Sequence, residues 1–499
     1  MDRDLRRSLV ILAVVTLVTA WFSVTFYFPD EHYQVLEFMG FKLGITPASA
    51  LPWEFSARIR PWFQPSVYFL IAKALMALGV TDLFTITFVL RALTGLLSLT
   101  ALALLARAIS PTIEGEAEKR AFVRYLPLFG FLPYLFVRTS SETFSAAFFA
   151  AGLAMALERR SAPRLALTGL LCGLAFESRY QTGLLGLGLF AWLAIVAREK
   201  PTGLTAFLGG GAVALALGLL ADRWGYGAWV FPALGYVDVN LVQGVAAHQF
   251  GREPVFAYLY LLPAQIFFAI TLVLMAAMVA MWLRNPRHAV TWVTLPFVLA
   301  HIAIAHKEAR FLFPLAILAV SFPVLGFSPR LRWRETFTHI WAWRTSWAAK
   351  SVTAISLLGM AYFAAYPFGV RPHMPMARYL YHHDPGPIWS FTEPFDSYPL
   401  YRPATFNIGR LRDAVRLNAL LDKGPVYVMA QTPLPPQWPG TKATLLYSEF
   451  PLARFGYGQA GADYIKGYTA FAARHGFLKL LPLYWYTLYR VERSATIRS

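Results

Sequence analysis

The sequence predicts a polytopic α-helical membrane protein with a small α/β domain outside the membrane. Of 499 residues, 57% are hydrophobic and only 14% charged, and the mean hydropathy is +0.48. Apolar runs long enough to span, or nearly so, recur up to residue 368, and none follows. A soluble globular domain does not carry that much apolar surface. The formal charge of +18 would suit nucleic acid, but the basic residues stand in short breaks between apolar runs. That placement reads as membrane topology and not as a nucleic-acid surface.

The first run, at about 8–28, follows a short basic N-terminus that superficially resembles a signal peptide. It is long enough to span and lacks a clear small-residue cleavage site, which predicts a retained helix with its basic end in the cytoplasm. Further runs lie at about 62–79, 83–106, 121–138, 141–157, 164–177, 181–197, 204–221, 255–283, 290–305, 311–327 and 351–368. The expected total is about 11–13 transmembrane helices. Basic breaks at 158–160, 198–200, 284–287 and 329–350 read as cytoplasmic, and Arg330, Arg332 and Arg334 read as positive-inside determinants. Strict alternation from the N-terminus conflicts with alternation from these loops, so one early run must fail to span; 62–79 and 121–138 are the candidates.

Beyond residue 368 the composition turns to Pro, Tyr and polar residues. Strand-like runs at 426–430 and 484–490, with amphipathic stretches at 409–422 and 463–475, predict an extramembrane α/β domain over 369–499. Residues 1–368 form the membrane region. The single cysteine, Cys172, lies in an apolar stretch, which excludes an intrachain disulfide and predicts a packing role.

Chemistry concentrates in the breaks assigned to one face. Asp30 and Glu31 directly follow the first run, where carboxylates are costly to keep near hydrocarbon. They could simply cap a helix, since acidic residues favour a first turn. The rest of this first outer loop, about 28–61, adds Glu37, Glu54, Arg58 and Arg60 among aromatics, a set suited to a polar reaction at a membrane surface. A second constellation, His306, Lys307, Glu308 and Arg310, places four ionisable residues in five positions. As a solvated hairpin its ion pairs would be worth little; so dense a charge between two apolar runs points instead to a phosphate or ion site. Arg138 with Glu142, and Glu177 with Arg179, are further charged breaks that could equally terminate helices. No zinc spacing, Walker loop, dinucleotide fingerprint or nucleophile elbow occurs.

The Pro29-Asp30-Glu31 opening, Trp53-Glu54-Phe55, Arg58-Ile59-Arg60-Pro61 and the His-Lys-Glu-x-Arg-Phe-Leu-Phe-Pro run at 306–314 together resemble glycosyltransferase family 22. That family comprises the lipid-linked mannosyltransferases of N-glycan and GPI-anchor assembly and their bacterial relatives, within the GT-C superfamily. Arg138 to Glu142 and the spacing of Asp222, Tyr226, Gly227, Asn240, Gly251 and Tyr258 add support, and the resemblance covers roughly 20–330. Phe28 stands where many members have His, and 177–180 departs from a stretch that often reads Arg-Pro-Thr. The resemblance implies a GT-C fold and an inverting transfer of a sugar, mannose above all, from a polyprenyl-phosphate carrier to a hydroxyl of a lipid-linked glycan or glycolipid acceptor.

An inverting displacement needs one carboxylate to take the acceptor proton and cations to hold the departing phosphate. Asp30 is the expected base, with Glu31 the alternative. Lys307 and Arg310 are the expected donor-phosphate ligands, with a further hydrogen bond from His306. Glu54, Arg58, Arg60 and Arg179 are expected to bind substrate. With cations on a monophosphate leaving group, no metal and no other cofactor is expected. The chain has no Asn-x-Ser/Thr sequon, which fits a bacterial inner-membrane enzyme facing the periplasm, or the endoplasmic-reticulum membrane in a eukaryote. A GT-C enzyme using another lipid-phosphate sugar is the nearer alternative. A lipid transporter is the other, although no internal repeat is visible and the charges cluster at one face.

Overall fold

The computed structural model describes residues 2–327 except 114, 159, 266 and 267, and thereafter 354, 357–361, 364, 373–390, 398–402, 407–411, 414–430, 438–449 and 486–494. Among them, three helices are long and apolar enough to cross a membrane: Arg3–Phe22, Leu83–Thr112 and Pro201–Tyr226. Six further apolar helical segments of 10–17 residues pack with them. Helix starts follow local chemistry. Asp82 caps the Leu83–Ile109 helix by accepting from Phe84 N (3.3 Å) and Thr85 N (3.0 Å), and Ser140 caps Ser141–Leu157 through Thr143 N (3.3 Å).

Proline breaks two of the expected runs. The run at 121–138 is divided into Glu116–Tyr125, a 3-10 turn at Leu126–Leu128 and Leu132–Phe136, with Pro127 and Pro133 at the starts of the second and third pieces. The run at 311–327, expected as one span, is corrected to a 3-10 segment Ala309–Leu315 and two short helices, Ala316–Ala319 and Phe322–Phe327. Pro314 and Pro323 remove backbone donors there, and a continuous ladder cannot pass through them. The run at 351–368 lies largely outside the described residues.

Backbone contact at glycine sets the centre of the bundle. The Ala162–Ser178 helix lies so close to Pro201–Tyr226 that a Cβ on Gly169 would sit 1.8 Å from Phe207 O, and one on Gly210 1.8 Å from Ala166 O. Small residues permit this approach where lipid supplies little hydrophobic drive between helices. The contact fixes the end of Ala162–Ser178, from which Arg179 emerges.

Among the described residues, the C-terminal domain contains a mixed five-stranded sheet in the order β2-β1-β3-β5-β4: β1 is Ile388–Ser390, β2 Ile408–Arg410, β3 Val426–Ala430, β4 Thr441–Ser448 and β5 Thr487–Arg493. β1 pairs parallel with β2 and β3, while β5 pairs antiparallel with β3 and β4. β3 coincides with the expected strand. The strand expected at 484–490 is β5, three residues later, and the helix expected at 409–422 is Ala414–Leu421 because 408–410 pairs as β2. The stretch 463–475 lies outside the described residues. This domain shares a hydrophobic core with one end of the bundle, where Phe26, Met39, Tyr68 and Phe84 pack with Leu380, Ile388, Tyr401 and Leu488. Hereafter this is called the domain end.

Adjacent glycines test the helix contact. Gly209 has nothing within 4 Å of an added Cβ, whereas Gly210 meets the backbone of Ala166. Gly210→Ala is expected to lower the thermal unfolding midpoint, at a cost of ~1–3 kcal/mol for overpacking. Gly209→Ala should leave it unchanged or raise it.

Candidate active site

The first outer loop enters its site through a fixed turn. Pro29 occupies the first helical position after an extended Phe28 (φ −132°, ψ 150°), and the short Pro29–Glu31 helix leads into a π-helical turn, His32–Leu36. Successive helical side chains diverge by about 100°, so the two neighbouring carboxylates part company. Asp30 Oδ2 accepts from Arg310 Nη1 at 2.6 Å and lies 3.7 Å from Arg60 Nη2; its side chain remains 28% exposed. Glu31 is buried. It accepts from Thr139 N (2.8 Å), the Thr139 hydroxyl (3.2 Å) and Tyr27 N (3.1 Å), with Arg138 at 3.8 Å.

The loop's far end is tied down by Pro201–Tyr226. Trp62 N donates to Asp222 Oδ1 at 2.8 Å, Arg60 N donates to the Tyr226 hydroxyl at 3.2 Å, and that hydroxyl donates to Arg60 O at 2.8 Å. Arg60 is thereby aimed at Asp30 and at Glu54 (3.4 Å), and Gln34 also donates to Glu54 (2.9 Å). Arg58 is not brought to this cluster. It is exposed, with its backbone in the left-handed region (φ 54°), a costly conformation for a residue with a side chain.

Across the site, Arg310 is shared by three carboxylates from three parts of the chain: Asp30, Glu308 and, at 3.6 Å, Glu142. Glu142 also pairs with Arg179 at 2.8 Å, and Arg179 donates to the Ser141 hydroxyl at 3.1 Å. The Lys307 ammonium is held by the carbonyls of Ile304 (2.5 Å) and Glu253 (3.1 Å). Both ring nitrogens of His306 face acceptors, Gly251 O at 3.0 Å and Glu308 Oε1 at 3.0 Å. Only the imidazolium has a hydrogen for each.

The charges set one another's ionisation. Burial pushes the Asp30 carboxyl up, but Arg310 and Arg60 outweigh burial and hold it below the usual carboxylate range. Glu308 follows the same pattern: against burial, Arg310 and His306 bring it down to about 2. The Glu308 hydrogen bond raises His306 above its ordinary value, with burial opposing. Asp30 and Glu308 are therefore ionised at neutral pH.

Two cavities flank the ion pairs. One, of about 420 Å³ counted to its open mouth, is lined by Gln34, Arg60, Ser141, Arg179, Gln181 and Tyr236 among others, with no carboxylate on its wall. The second, about 550 Å³, is apolar and runs along Leu262, Leu274, Met278, Leu312, Phe313 and Phe322. Leu312 and Phe313 follow Arg310 almost directly in the chain. Sequence reasoning missed Glu142 and Glu308 as the anions that organise Arg179 and Arg310, and missed Gln34, Gln181 and Tyr236 altogether. The charged breaks at 138–142 and 306–310 carried a signal for the first two; the polar residues carried none.

A bundle of apolar helices that holds a cluster of buried ion pairs at one end, beside an apolar groove, is an integral membrane protein. The chain belongs to the Alg9-like mannosyltransferase family, whose model matches residues 8–392, further in both directions than the motifs reached. It is 26% identical to GPI mannosyltransferase 3 of Yarrowia lipolytica over 365 residues, covering 71% of this chain and 67% of that one. It is 25% identical to GPI alpha-1,2-mannosyltransferase 3 of Xenopus laevis, covering 62% of this chain and 58% of that one. The chain thus spans roughly three fifths to two thirds of these relatives' length. Among solved structures, ArnT from Cupriavidus metallidurans bound to undecaprenyl phosphate is similar with a TM-score of 0.47 and 15% identity, over 84% of this chain and 92% of that chain.

The His306–Glu308 pair carries a pH signature. His306 has a raised folded value, so its stabilisation is complete below 6.5 and is lost as pH rises through that raised value. Glu308 has a lowered one, so its share is complete above 4.5 and lost only as pH falls towards 2. The contribution of this pair to the thermal midpoint should fall between pH 6 and pH 9, and Glu308→Gln should make the midpoint's fall over that range smaller.

Proposed function

We propose that this protein transfers mannose from a polyprenyl-phosphate carrier to a hydroxyl of a lipid-linked acceptor, with inversion at the anomeric carbon. The observation that carries the proposal is the pairing of Asp30 with Arg310, 280 residues apart in sequence, beside a polar cavity and an apolar groove. Membership of a mannosyltransferase family supports the sugar and the reaction class.

In this reading Asp30 is the base. As the acceptor oxygen attacks the anomeric carbon, its proton passes to Asp30, the bond to the phosphate oxygen breaks, and that oxygen keeps the electron pair. Arg310 and Lys307 bind the phosphate that gains charge; both ring nitrogens of His306 are engaged by Gly251 O and Glu308, so His306 donates to the phosphate only by giving up one of them. An ammonium has three donors and two carbonyls already take two from Lys307, leaving one for phosphate. A phosphate arriving at Arg310 competes with Asp30 for the guanidinium, which makes Asp30 a stronger base when the donor is in place. Glu31, fully engaged with Thr139 and Tyr27, positions the turn.

Arg60, Arg179 and Glu54 order the polar cavity for the acceptor, and the apolar groove takes the polyprenyl tail. Arg58, exposed beyond the cluster, serves at most the acceptor's approach. Residues 1–368 form the transferase region, and the domain 369–499 covers the site. The domain end faces the periplasm across a bacterial inner membrane; in a eukaryotic cell it would face the lumen of the endoplasmic reticulum. The cations at the phosphate make a divalent metal unnecessary.

With synthetic polyprenyl-phosphate mannose and membranes carrying the protein, Asp30→Asn should lower kcat by ~10²–10⁴-fold, and Lys307→Ala should raise KM for the donor. Full activity of Asp30→Asn would remove it as the base. Transfer of a different lipid-phosphate sugar but not of mannose would discard the sugar and keep the mechanism. Activity should persist in EDTA; loss with rescue by a divalent ion would refute metal independence.

A further inference from the structure

Between the Pro201–Tyr226 helix and the helix that begins at Tyr258 lies a segment, 227–257, that holds only a short helix over 232–242, its second half a π-helical turn, and the five-residue helix Val245–Gln249. Its chain turns at Gly227, Gly244 and Gly251, all with positive φ. Its outer surface is nonetheless apolar: Trp229 is 65% exposed and Val242 75%, and Leu234, Phe250, Val255 and Phe256 are exposed with them. Only Asp238, Arg252 and Glu253 are charged in this stretch, with Tyr236 and His248 the further titratable side chains. So large an exposed apolar surface marks an interaction site.

We propose that this segment lies in the membrane interface at the domain end, its apolar residues seated among the acyl chains of that leaflet, as a lipid-facing wall of the site. Three observations name lipid as the partner. The surface continues the lipid-facing side of a membrane-crossing helix, whose Leu217, Leu220 and Trp224 are exposed immediately before it. Aromatic residues stand at both ends, Trp229 with Arg223 stacked over its ring at 5.8 Å and Tyr260 bonded to Glu253, as aromatic belts do at headgroup level. The loops around Gly227, Gly244 and Gly251 also limit the depth, because lipid-exposed non-helical backbone is too costly at the hydrocarbon centre but finds partners among headgroups and water.

The inner side of the same segment holds the site. Tyr236 bonds to Gln181 and lies under Arg60 (5.6 Å to the ring centre), Gly251 O accepts from His306, and Glu253 O accepts from Lys307. One strip of chain thus contacts lipid outside and the phosphate-side cations inside. The placement of the strip does not depend on which sugar is transferred.

The native cysteine is buried, so added cysteines can be labelled selectively. The experiment places a nitroxide at Leu234→Cys and Val242→Cys in the full chain, reconstituted in phosphatidylethanolamine–phosphatidylglycerol vesicles. Collision with oxygen is compared with collision with a water-soluble nickel chelate. Leu217→Cys in the spanning helix serves as lipid reference and Val415→Cys, 76% exposed on the domain, as water reference. Oxygen-dominated collisions at 234 and 242, falling between 217 and 415 and nearer to 217, are expected. Nickel-dominated collisions matching 415 would overturn the proposal in favour of an aqueous surface. Shielding from both reagents would overturn it in favour of a protein partner or a second copy. A wild-type thermal midpoint for each labelled protein confirms that the fold is intact.

Discussion

Arg310 closes the electrical circuit of the site. Its guanidinium draws Asp30 from the first loop, Glu142 from the start of a helix and Glu308 from its own loop into one cluster. Arg60 with Glu54, Arg179 and His306 complete a set in which four acidic side chains face four basic ones. Near a membrane such balance is obligatory: removing one partner from a buried ion pair leaves an uncompensated charge, at a cost of ~3–5 kcal/mol.

That constraint explains the shape of the first loop. One helical turn sends Asp30 into the open cluster and Glu31 into the protein, so one carboxylate stays partly exposed and the other is saturated with hydrogen bonds. Glu37 anchors the loop from behind. It accepts from His32 (2.6 Å), the Thr46 hydroxyl (2.5 Å) and, across the domain boundary, Leu400 N (3.1 Å). The C-terminal domain is therefore part of the scaffold that holds Asp30 in place, joined to the bundle by a shared apolar core and by this carboxylate. A charge-assisted bond from Leu400 N is stronger than a neutral one, so the domain and the loop position one another.

The membrane environment enters at two levels. Inside the bundle, glycine contacts bring backbones together and set the angle from which Arg179 reaches Glu142. Outside it, the strip 227–257 faces two ways, with lipid on one side and His306 and Lys307 on the other. Catalysis at a lipid surface asks for both: a rigid frame for the ions and an apolar entrance for the tails.

Much of this was legible in the residues. Hydropathy alone identifies a helical membrane protein, and the charged breaks at 28–61 and 306–310 identify segments whose ionised groups meet, because such groups beside hydrocarbon are costly to leave unpaired. Val426 to Ala430 reads as a strand by composition and is one. Other features depended on tertiary structure. Asp30 and Glu31 are equivalent in sequence, and only the position of Thr139 and Arg310 divides their roles. Arg58 and Arg60 look alike in sequence, yet the Tyr226 hydroxyl turns one inward and leaves the other in solvent. Gln34, Gln181 and Tyr236 have no sequence signature, since an uncharged polar residue becomes a site residue only through its neighbours. The sequence by itself determined the class of protein and the segments that carry charge, because burial energies act on composition. The tertiary structure decided which charge meets which, because electrostatic pairing depends on distances that chain order does not set.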